Sequence, residues 1–201
     1  MVYRILVFFL VFLLPGQCFA HQILVGVGQK YSQSRIMNPG GTESVYMGPG
    51  YGGHLAFRIR PSARMPSDDV FCYEFYASGL YQLLGNLAGG ISENNTRNSI
   101  GGGLNFRKWV MFLGFVFNKN YLRVGTASGT FNVQYYSYGG STGLGIPFSA
   151  KGPISLDLGV VIETGSLSLL NTTRRITEYT GFVSLVIRLF VPGEGVKSGI
   201  P

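Results

Sequence analysis

The segment 154–163 reads ISLDLGVVIE, and its pattern decides the fold class. Large apolar side chains occupy every second position, namely Ile154, Leu156, Leu158, Val160 and Ile162. Successive side chains of a β-strand point to opposite faces, so a period of two predicts a strand with one apolar face. The opposite face includes Asp157, Gly159 and Glu163, so it carries small and charged residues.

Similar alternation, rich in β-branched and aromatic residues, recurs along the chain between clusters of Gly, Asn, Ser and Pro. The pattern predicts eight strands, at residues 22–31, 51–60, 70–84, 98–107, 109–118, 130–148, 152–165 and 177–190. Segment 109–118 is apolar on both faces, which also fits a buried helix. After residue 20 there is no run of about eighteen apolar residues, so the sequence excludes a helical membrane protein.

The composition supports a folded, aromatic-rich chain. Only 12% of the 201 residues are charged, roughly half the usual share of a soluble domain. Glycine contributes 30 residues, and Phe, Tyr and Trp contribute 15, 12 and 1. Disorder requires low hydrophobicity and high charge, and collagen requires glycine at every third position, so both classes are excluded.

The first twenty residues have the organisation of a secretory signal peptide. Arg4 precedes the apolar run 5–14, and residues 18–20 supply small side chains for cleavage after Ala20. Ten apolar residues are too few for a membrane-spanning helix, which needs about twenty. Lipid attachment at Cys18 is the alternative form of processing. Cleavage after Ala20 leaves 15 basic and 9 acidic residues, a net charge of +6.

The connections between the predicted strands alternate in length. The long ones are polar or glycine-rich and cover 32–50, 85–97, 119–129 and 166–176, whereas the short ones cover 61–69, 108 and 150–151. A soluble sandwich or lipocalin has no reason to alternate in this way. Outer-membrane barrels do, because their external loops are long and their periplasmic turns are short. An even number of strands then places both chain termini on the periplasmic side.

With its signal peptide, eight alternating segments, alternating connections and an aromatic-ended last strand, the chain resembles the small outer-membrane β-barrels typified by the outer-membrane protein A transmembrane domain. The resemblance implies an all-β, eight-stranded, antiparallel, up-and-down transmembrane barrel in the outer membrane of a Gram-negative bacterium. It also implies contact with the barrel-assembly machinery. The expected organisation is a signal peptide at 1–20, a barrel at 21–190 and a C-terminal tail at 191–201. Barrels of this class usually end at the terminal aromatic, whereas this chain continues past Phe190.

The alternation also predicts which side chains face the lumen and which face lipid. The predicted lumenal charge network contains Arg58, Arg60, Glu74, Asp157, Glu163 and Arg188. The predicted lipid-facing residues are Leu55, Phe57, Phe71, Phe75, Leu156, Leu158, Val160, Leu185 and Ile187. A turn near 63–66 would place Glu74 beside Ala56 and diagonal to Arg58, within reach of an ion pair. A buried charge is costly unless it is paired, so we expect Glu74 to pair with Arg58 or Arg60.

The sequence predicts no catalytic residue, no cofactor and no metal site. His54 is the one histidine inside a predicted strand, and it lacks a nearby serine in sequence, so an interfacial position is expected. One histidine and the single Cys72 do not supply a zinc site or an internal disulfide. Basic residues form no cluster, so nucleic acid is not an expected partner. Membrane lipid and lipopolysaccharide phosphates are the expected counter-charges, and any external ligand is unknown.

Three functions follow from this interpretation. A structural or surface-interaction role for a barrel with external loops is favoured, because the sequence offers no catalytic chemistry. A narrow, porin-like channel is the first alternative, and it requires unpaired charges and water in the lumen. A lipid-modifying enzyme is the second alternative.

Overall fold

A computed structural model describes residues 20–37, 40–60, 71–86, 90–126, 129–149, 153–169 and 172–190. Residues 1–19 of the predicted signal peptide and the C-terminal tail lie outside the described residues, whereas Ala20 is the first residue of β1. The eight strands are β1 (Ala20–Met37), β2 (Glu43–Arg60), β3 (Cys72–Asn86), β4 (Gly90–Lys108), β5 (Met111–Thr126), β6 (Gly129–Pro147), β7 (Ile154–Leu169) and β8 (Thr172–Phe190).

The strands form one closed antiparallel barrel in which each strand pairs with its sequence neighbours and β8 pairs with β1. The all-β, eight-stranded up-and-down prediction is therefore confirmed. Among the described residues, no helix is long and apolar enough to cross a membrane.

The register is staggered around the barrel. A path of directly paired residues can be traced once around the barrel from Gln22 on β1. It passes through Arg58, Glu74, Asn105, Gly114, Ser141, Val161 and Thr180 and reaches β1 again at Ser32. The path returns to β1 ten residues beyond its start, so the strands are inclined by about 40° to the barrel axis. This stagger decides which residues of different strands lie at the same height.

Segment 109–118 is a strand and its preceding turn, not a helix. Trp109 and Val110 form the turn between β4 and β5, and Trp109 has a φ of 56°. That value lies in the left-handed region, which bulky residues seldom adopt. From Met111 onward the side chains alternate between the two faces of the wall.

The predicted pattern of loop lengths is wrong. The strands continue through most of the predicted long connections 32–50, 85–97, 119–129 and 166–176. At the barrel end opposite the chain termini, the links that remain between strands are 38–42, 87–89, 127–128 and 170–171. The longest gap between strands, 61–71, is one that the sequence predicts to be short. Outside the β2 segment, these stretches are polar on the outward face, which resembles a loop in sequence although the backbone is a strand.

The register between β2 and β3 also differs from the prediction. Arg58 lies directly opposite Glu74, and Ala56 lies opposite Tyr76, because the hairpin is centred one residue later than predicted. The same ladder is interrupted at Gly48 and Pro49, where direct pairing stops between Met47 and Gly50. Proline has no backbone N–H to donate to a ladder, which accounts for an interruption at this position.

Candidate functional site

The outer face of the barrel is apolar in the half that contains the chain termini, which we call the terminal half. On β7 the outward side chains run from Ile154 to Ile162 without a polar member. The predicted lipid-facing residues all point outward; Leu55, Phe71, Phe75, Val160, Leu185 and Ile187 are exposed, and Phe57, Leu156 and Leu158 are half-buried among neighbours. Together they form a continuous outer belt.

A ring of tyrosines closes this belt at mid-barrel. By the register stagger, Tyr31, Tyr51, Tyr81, Tyr138 and Tyr179 lie at about the same height, and every one is exposed. We call them the tyrosine ring, and we call the barrel beyond it the tip half. In the tip half the outward positions of six strands, all except β2 and β3, change to polar residues such as Gln33, Asn98, Arg123, Gln134 and Ser166.

Inside the terminal half, four charged residues form one connected network. Arg58 donates to Glu74 Oε2 from Nη2 at 2.8 Å, and Arg107 donates to the same oxygen from Nε at 3.0 Å. Arg107 also pairs with Asp157, so it joins the two carboxylates. Asn105 donates to Glu74 Oε1 at 3.2 Å. Each carboxylate thus has a cationic partner, as burial of charge requires.

The other predicted lumenal charges lie apart from that network. Glu163 is buried and accepts hydrogen bonds from Asn118 Nδ2 and Ser137 Oγ, both at 2.7 Å, so its described partners are neutral. Arg188 points inward by its position in β8 and is half-buried near the chain termini. The side chain of Arg60 lies outside the described residues.

A cavity of about 80 Å³ occupies the middle of the lumen, with room for several water molecules. Lys30, His54, Tyr76, Asn118 and Glu163 line it together with the network of Glu74, Arg107 and Asp157. Among the described residues, neither Lys30 nor His54 has a hydrogen-bond or ion-pair partner. The polar groups of Lys30 and His54 therefore face the cavity, and the cavity is polar enough to hold water.

His54 is inside the barrel, which corrects the expected interfacial position. β2 begins eight residues earlier than predicted, so His54 lies in the strand interior and not at its end. Its ring lies over Gly26, where a Cβ would fall 2.6 Å from Nε2. Ser78 is its cross-strand partner, but no hydrogen bond joins the two in the described structure. The described structure therefore shows no hydrogen bond through which His54 would take a proton from Ser78.

A second polar layer closes the cavity on the tip side. Arg97 and Glu178 form a fully buried ion pair. Tyr135 Oη donates to Glu178 Oε1 at 2.7 Å, and Ser34 Oγ donates to the same oxygen at 3.1 Å. Arg97 Nη2 also donates to Ser32 Oγ at 3.2 Å. This layer spans β1, β4, β6 and β8, so it ties opposite walls of the barrel together.

Beyond that layer, the interior of the tip half is an apolar core. It contains Ile36, Leu84, Leu122, Val133, Tyr135, Leu167 and Ile176, each at most 9% exposed. A smaller apolar cluster of Leu24, Ala56 and Val186 lies near the chain termini. The two halves of the barrel are therefore opposite in polarity, because the tip half is apolar inside and polar outside.

Arg97, Arg107, Tyr135 and Glu178 are lumenal residues that the sequence pattern did not predict. The signal for the two arginines was present, because Arg97 and Arg107 continue the small and polar face of β4 that includes Gly101, Gly103 and Asn105. Arg97 and Glu178 fell at or beyond the ends of the predicted strands, which hid their inward phase. Gly103 is needed on this face, since a Cβ there would lie 2.7 Å from Tyr76 Oη.

These features define the class. A closed eight-stranded barrel with an apolar outer belt, a surrounding tyrosine ring and a charged lumen has the architecture of a small bacterial outer-membrane β-barrel. No family model and no curated protein sequence matches the chain. The solved structure of Neisserial surface protein A is similar in fold, with 13% identity, 82% of this chain and 97% of that chain covered, and a TM-score of 0.50.

Two further solved structures match over most of their length. The attachment invasion locus protein Ail of Yersinia pestis has 14% identity, with 85% of this chain and 99% of that chain covered and a TM-score of 0.45. The outer-membrane protein AlkL has 10% identity, with 89% and 94% covered and a TM-score of 0.45. At identities this low, the comparisons concern the fold alone.

Proposed function

We propose that this chain is a bacterial outer-membrane β-barrel with a closed lumen and a structural or surface-interaction role, in which the tip half projects outward from the membrane. Residues 21–190 form the barrel after removal of a signal peptide, and both termini lie on the periplasmic side. The observation that carries the proposal is the change of outward residues from apolar to polar at the tyrosine ring.

The dimensions of the outer belt support a membrane position. On β7 the outward apolar run from Ile154 to Ile162 covers nine residues, and a tilted strand needs about 9–11 to cross a bilayer. Tyrosine is enriched where membrane and water meet, because its ring is apolar and its hydroxyl is polar. At the opposite edge, Trp109 and Phe148 are 64% and 66% exposed, and Lys108 Nζ lies 5.9 Å from the Trp109 ring centroid.

The interior favours a closed barrel over a channel. The central cavity is bounded on one side by the Arg58, Glu74, Arg107 and Asp157 network and on the other by the Arg97–Glu178 pair. The tip core adds an apolar layer beyond that pair. Water and ions would have to pass both charged layers and the core. The cavity, with Lys30 and His54 facing it, is the observation that keeps a narrow channel as the second candidate.

Outward charges of the tip half suit an anionic partner. Among the side chains that the structure describes there, Arg35, Lys119, Arg123 and Arg175 are basic and Glu43 is acidic. Phosphate groups of lipopolysaccharide would meet this surface just outside the membrane, where opposite charges attract. A basic, outward surface at this height is therefore consistent with lipopolysaccharide as the surrounding lipid.

Two measurements test the proposal. Refolded protein should stay compact in an unheated detergent gel and change mobility on boiling, as a closed barrel does. In planar bilayers it should produce no stepwise conductance. Regular single-channel steps would support the channel candidate and reject the closed lumen, whereas a protein that stays soluble without detergent would reject the membrane position.

A further inference from the structure

The apolar belt is taller on one side of the barrel than elsewhere. Beyond the tyrosine ring, the outward residues of β2 are Pro49, Met47 and Val45, and the first outward residue of β3 is Leu83. At the same height the other strands present polar residues or tyrosine; these are Gln33, Thr96, Asn98, Tyr121, Gln134, Tyr136, Thr164, Ser166 and Thr177. We call the four apolar residues the β2–β3 flank.

We propose that lipid acyl chains cover the β2–β3 flank, so that the hydrocarbon boundary rises along this side of the barrel. The inference rests on the proposed membrane position and extends it to a named surface. The occupant follows from continuity, because Tyr51 and Tyr81 lie directly opposite each other below the flank and join it to the belt. No polar residue separates the two surfaces on these strands.

The local backbone is compatible with lipid contact. Lipid offers no hydrogen bonds, so backbone groups that face it must be satisfied within the protein. The β2–β3 ladder is interrupted at Gly48 and Pro49, which removes pairing at the flank itself. From inside the barrel, Gln82 Nε2 donates to the Gly48 carbonyl oxygen at 2.7 Å. The protein thus supplies a partner for this carbonyl without solvent, while Pro49 has no N–H that would need one.

The inward side chains behind the flank are also apolar. Leu84 is fully buried in the tip core, immediately next to outward Leu83. Tyr46 packs against that core beside outward Met47. The wall is therefore apolar on both faces here, whereas β7 at the same height pairs buried Leu167 with outward Ser166 and Ser168. A surface facing water would not need this apolar outward face, which among the described residues of the tip half is confined to this side.

Site-directed spin labelling tests the inference in the full barrel. Cys72 is first replaced by serine, and single cysteines are then introduced as Met47→Cys and Leu83→Cys, with Val45→Cys as a further flank site if either fails to fold. Ser166→Cys and Thr177→Cys are matched controls at about the same height on polar strands. Leu158→Cys is the reference inside the belt. Each variant is refolded into phosphatidylcholine vesicles, and folding is checked by gel mobility before and after boiling.

Collisions with oxygen, which partitions into lipid, are compared with collisions with a water-soluble nickel chelate. The inference expects the flank labels to show the lipid-side values of position 158, while positions 166 and 177 show water-side values. Flank labels as accessible to nickel as position 166 would overturn it. Flank labels shielded from both reagents, with spin–spin broadening between copies, would also overturn it in favour of a second copy. Nickel access at position 158 would instead reject the proposed membrane position itself.

Discussion

The terminal half and the tip half of this barrel use the same backbone with opposite distributions of polarity. In the terminal half, Leu158 points outward while Asp157 is buried in the lumen. In the tip half, Ser166 points outward while Leu167 is buried. One strand, β7, contains both arrangements within a few residues. The difference shows that the barrel fold does not fix which face is apolar; under the proposed membrane position, the surrounding medium does.

The two halves are therefore stabilised in different ways. The tip half resembles a soluble protein, since burial of its apolar core is favourable by about 25 cal/mol per Å² removed from water. The lumen of the terminal half also contains apolar side chains, such as Phe112, Val116 and Phe182, but its buried charges depend on ion pairs and hydrogen bonds whose members satisfy one another. Breaking a charged partner should affect the terminal half most, and creating a cavity should affect the tip half most.

The largest effect is expected at the residue that joins two carboxylates in the terminal half. Arg107→Met removes the cation shared by Glu74 and Asp157, leaving buried negative charge that Arg58 alone cannot balance. Breaking a buried pair in this way costs about 3–5 kcal/mol. The free energy of unfolding is measured in urea with the barrel in phospholipid vesicles. Arg123→Met, an outward change in the tip half, is the control, and equal losses in the two variants would contradict a charge-dependent lumen.

Removing volume from the tip core should have the next largest effect. Leu167→Ala leaves a cavity among Leu84, Leu122 and Ile176, and such changes cost about 2–5 kcal/mol. The adjacent outward change Ser166→Ala should alter the free energy of unfolding by no more than about 0.5 kcal/mol. The same urea titration measures both. If Leu167→Ala were as mild as Ser166→Ala, the tip half would not have a packed core.

Arginine substitutions at outward positions of β7 test whether lipid surrounds the terminal half and water surrounds the tip half. Leu158→Arg near the middle of the belt should cost about 2–4 kcal/mol, and arginine near either edge about 0–1 kcal/mol. A series at positions 154, 156, 158, 160 and 162 measures this gradient by unfolding in vesicles. Ser166→Arg, on the same face beyond the tyrosine ring, should be nearly neutral because it faces water. A flat series would reject a lipid environment for the terminal half.

The smallest effect is expected at an exposed charge of the tip half that lies next to the tyrosine ring. Arg35 lies 5.6 Å from the ring centroid of Tyr179 and 3.8 Å from Glu43, and both contacts are exposed. Arg35→Met should therefore lower the free energy of unfolding by at most about 1 kcal/mol. Since exposed charges are screened by salt, the difference from the unmodified chain should shrink at high ionic strength. A loss that is large and independent of salt would place Arg35 in a buried network instead.

Much of the fold could be predicted because alternation is a local property. The run from Ile154 to Ile162 fixes which side chains share a face without knowledge of any partner strand. Eight such runs predicted the antiparallel barrel correctly, whereas the alternation of connection lengths that also favoured it was wrong. The same period of two predicts that Leu158 and Asp157 point to opposite faces of the strand.

The candidate site was harder to predict because it depends on pairing between strands. The predicted ion pair between Arg58 and Glu74 is present, but a hairpin centre displaced by one residue changed the residue directly opposite Glu74 from Ala56 to Arg58. The meeting of Arg107 with Asp157 joins β4 to β7, which no local pattern encodes. His54 could be placed only after the true start of β2 was known.

The sequence by itself determined the strand class, the number of strands and the two faces of each strand, because those follow from the side-chain period along one segment. Only the tertiary structure decided how far the strands extend, since in the tip half the polar outward residues resemble a loop until closure of the barrel supplies an apolar interior. Closure also decided which charges meet. The stagger of ten residues around the wall sets the height of each strand against the others, and that quantity belongs to the whole barrel rather than to any segment of the chain.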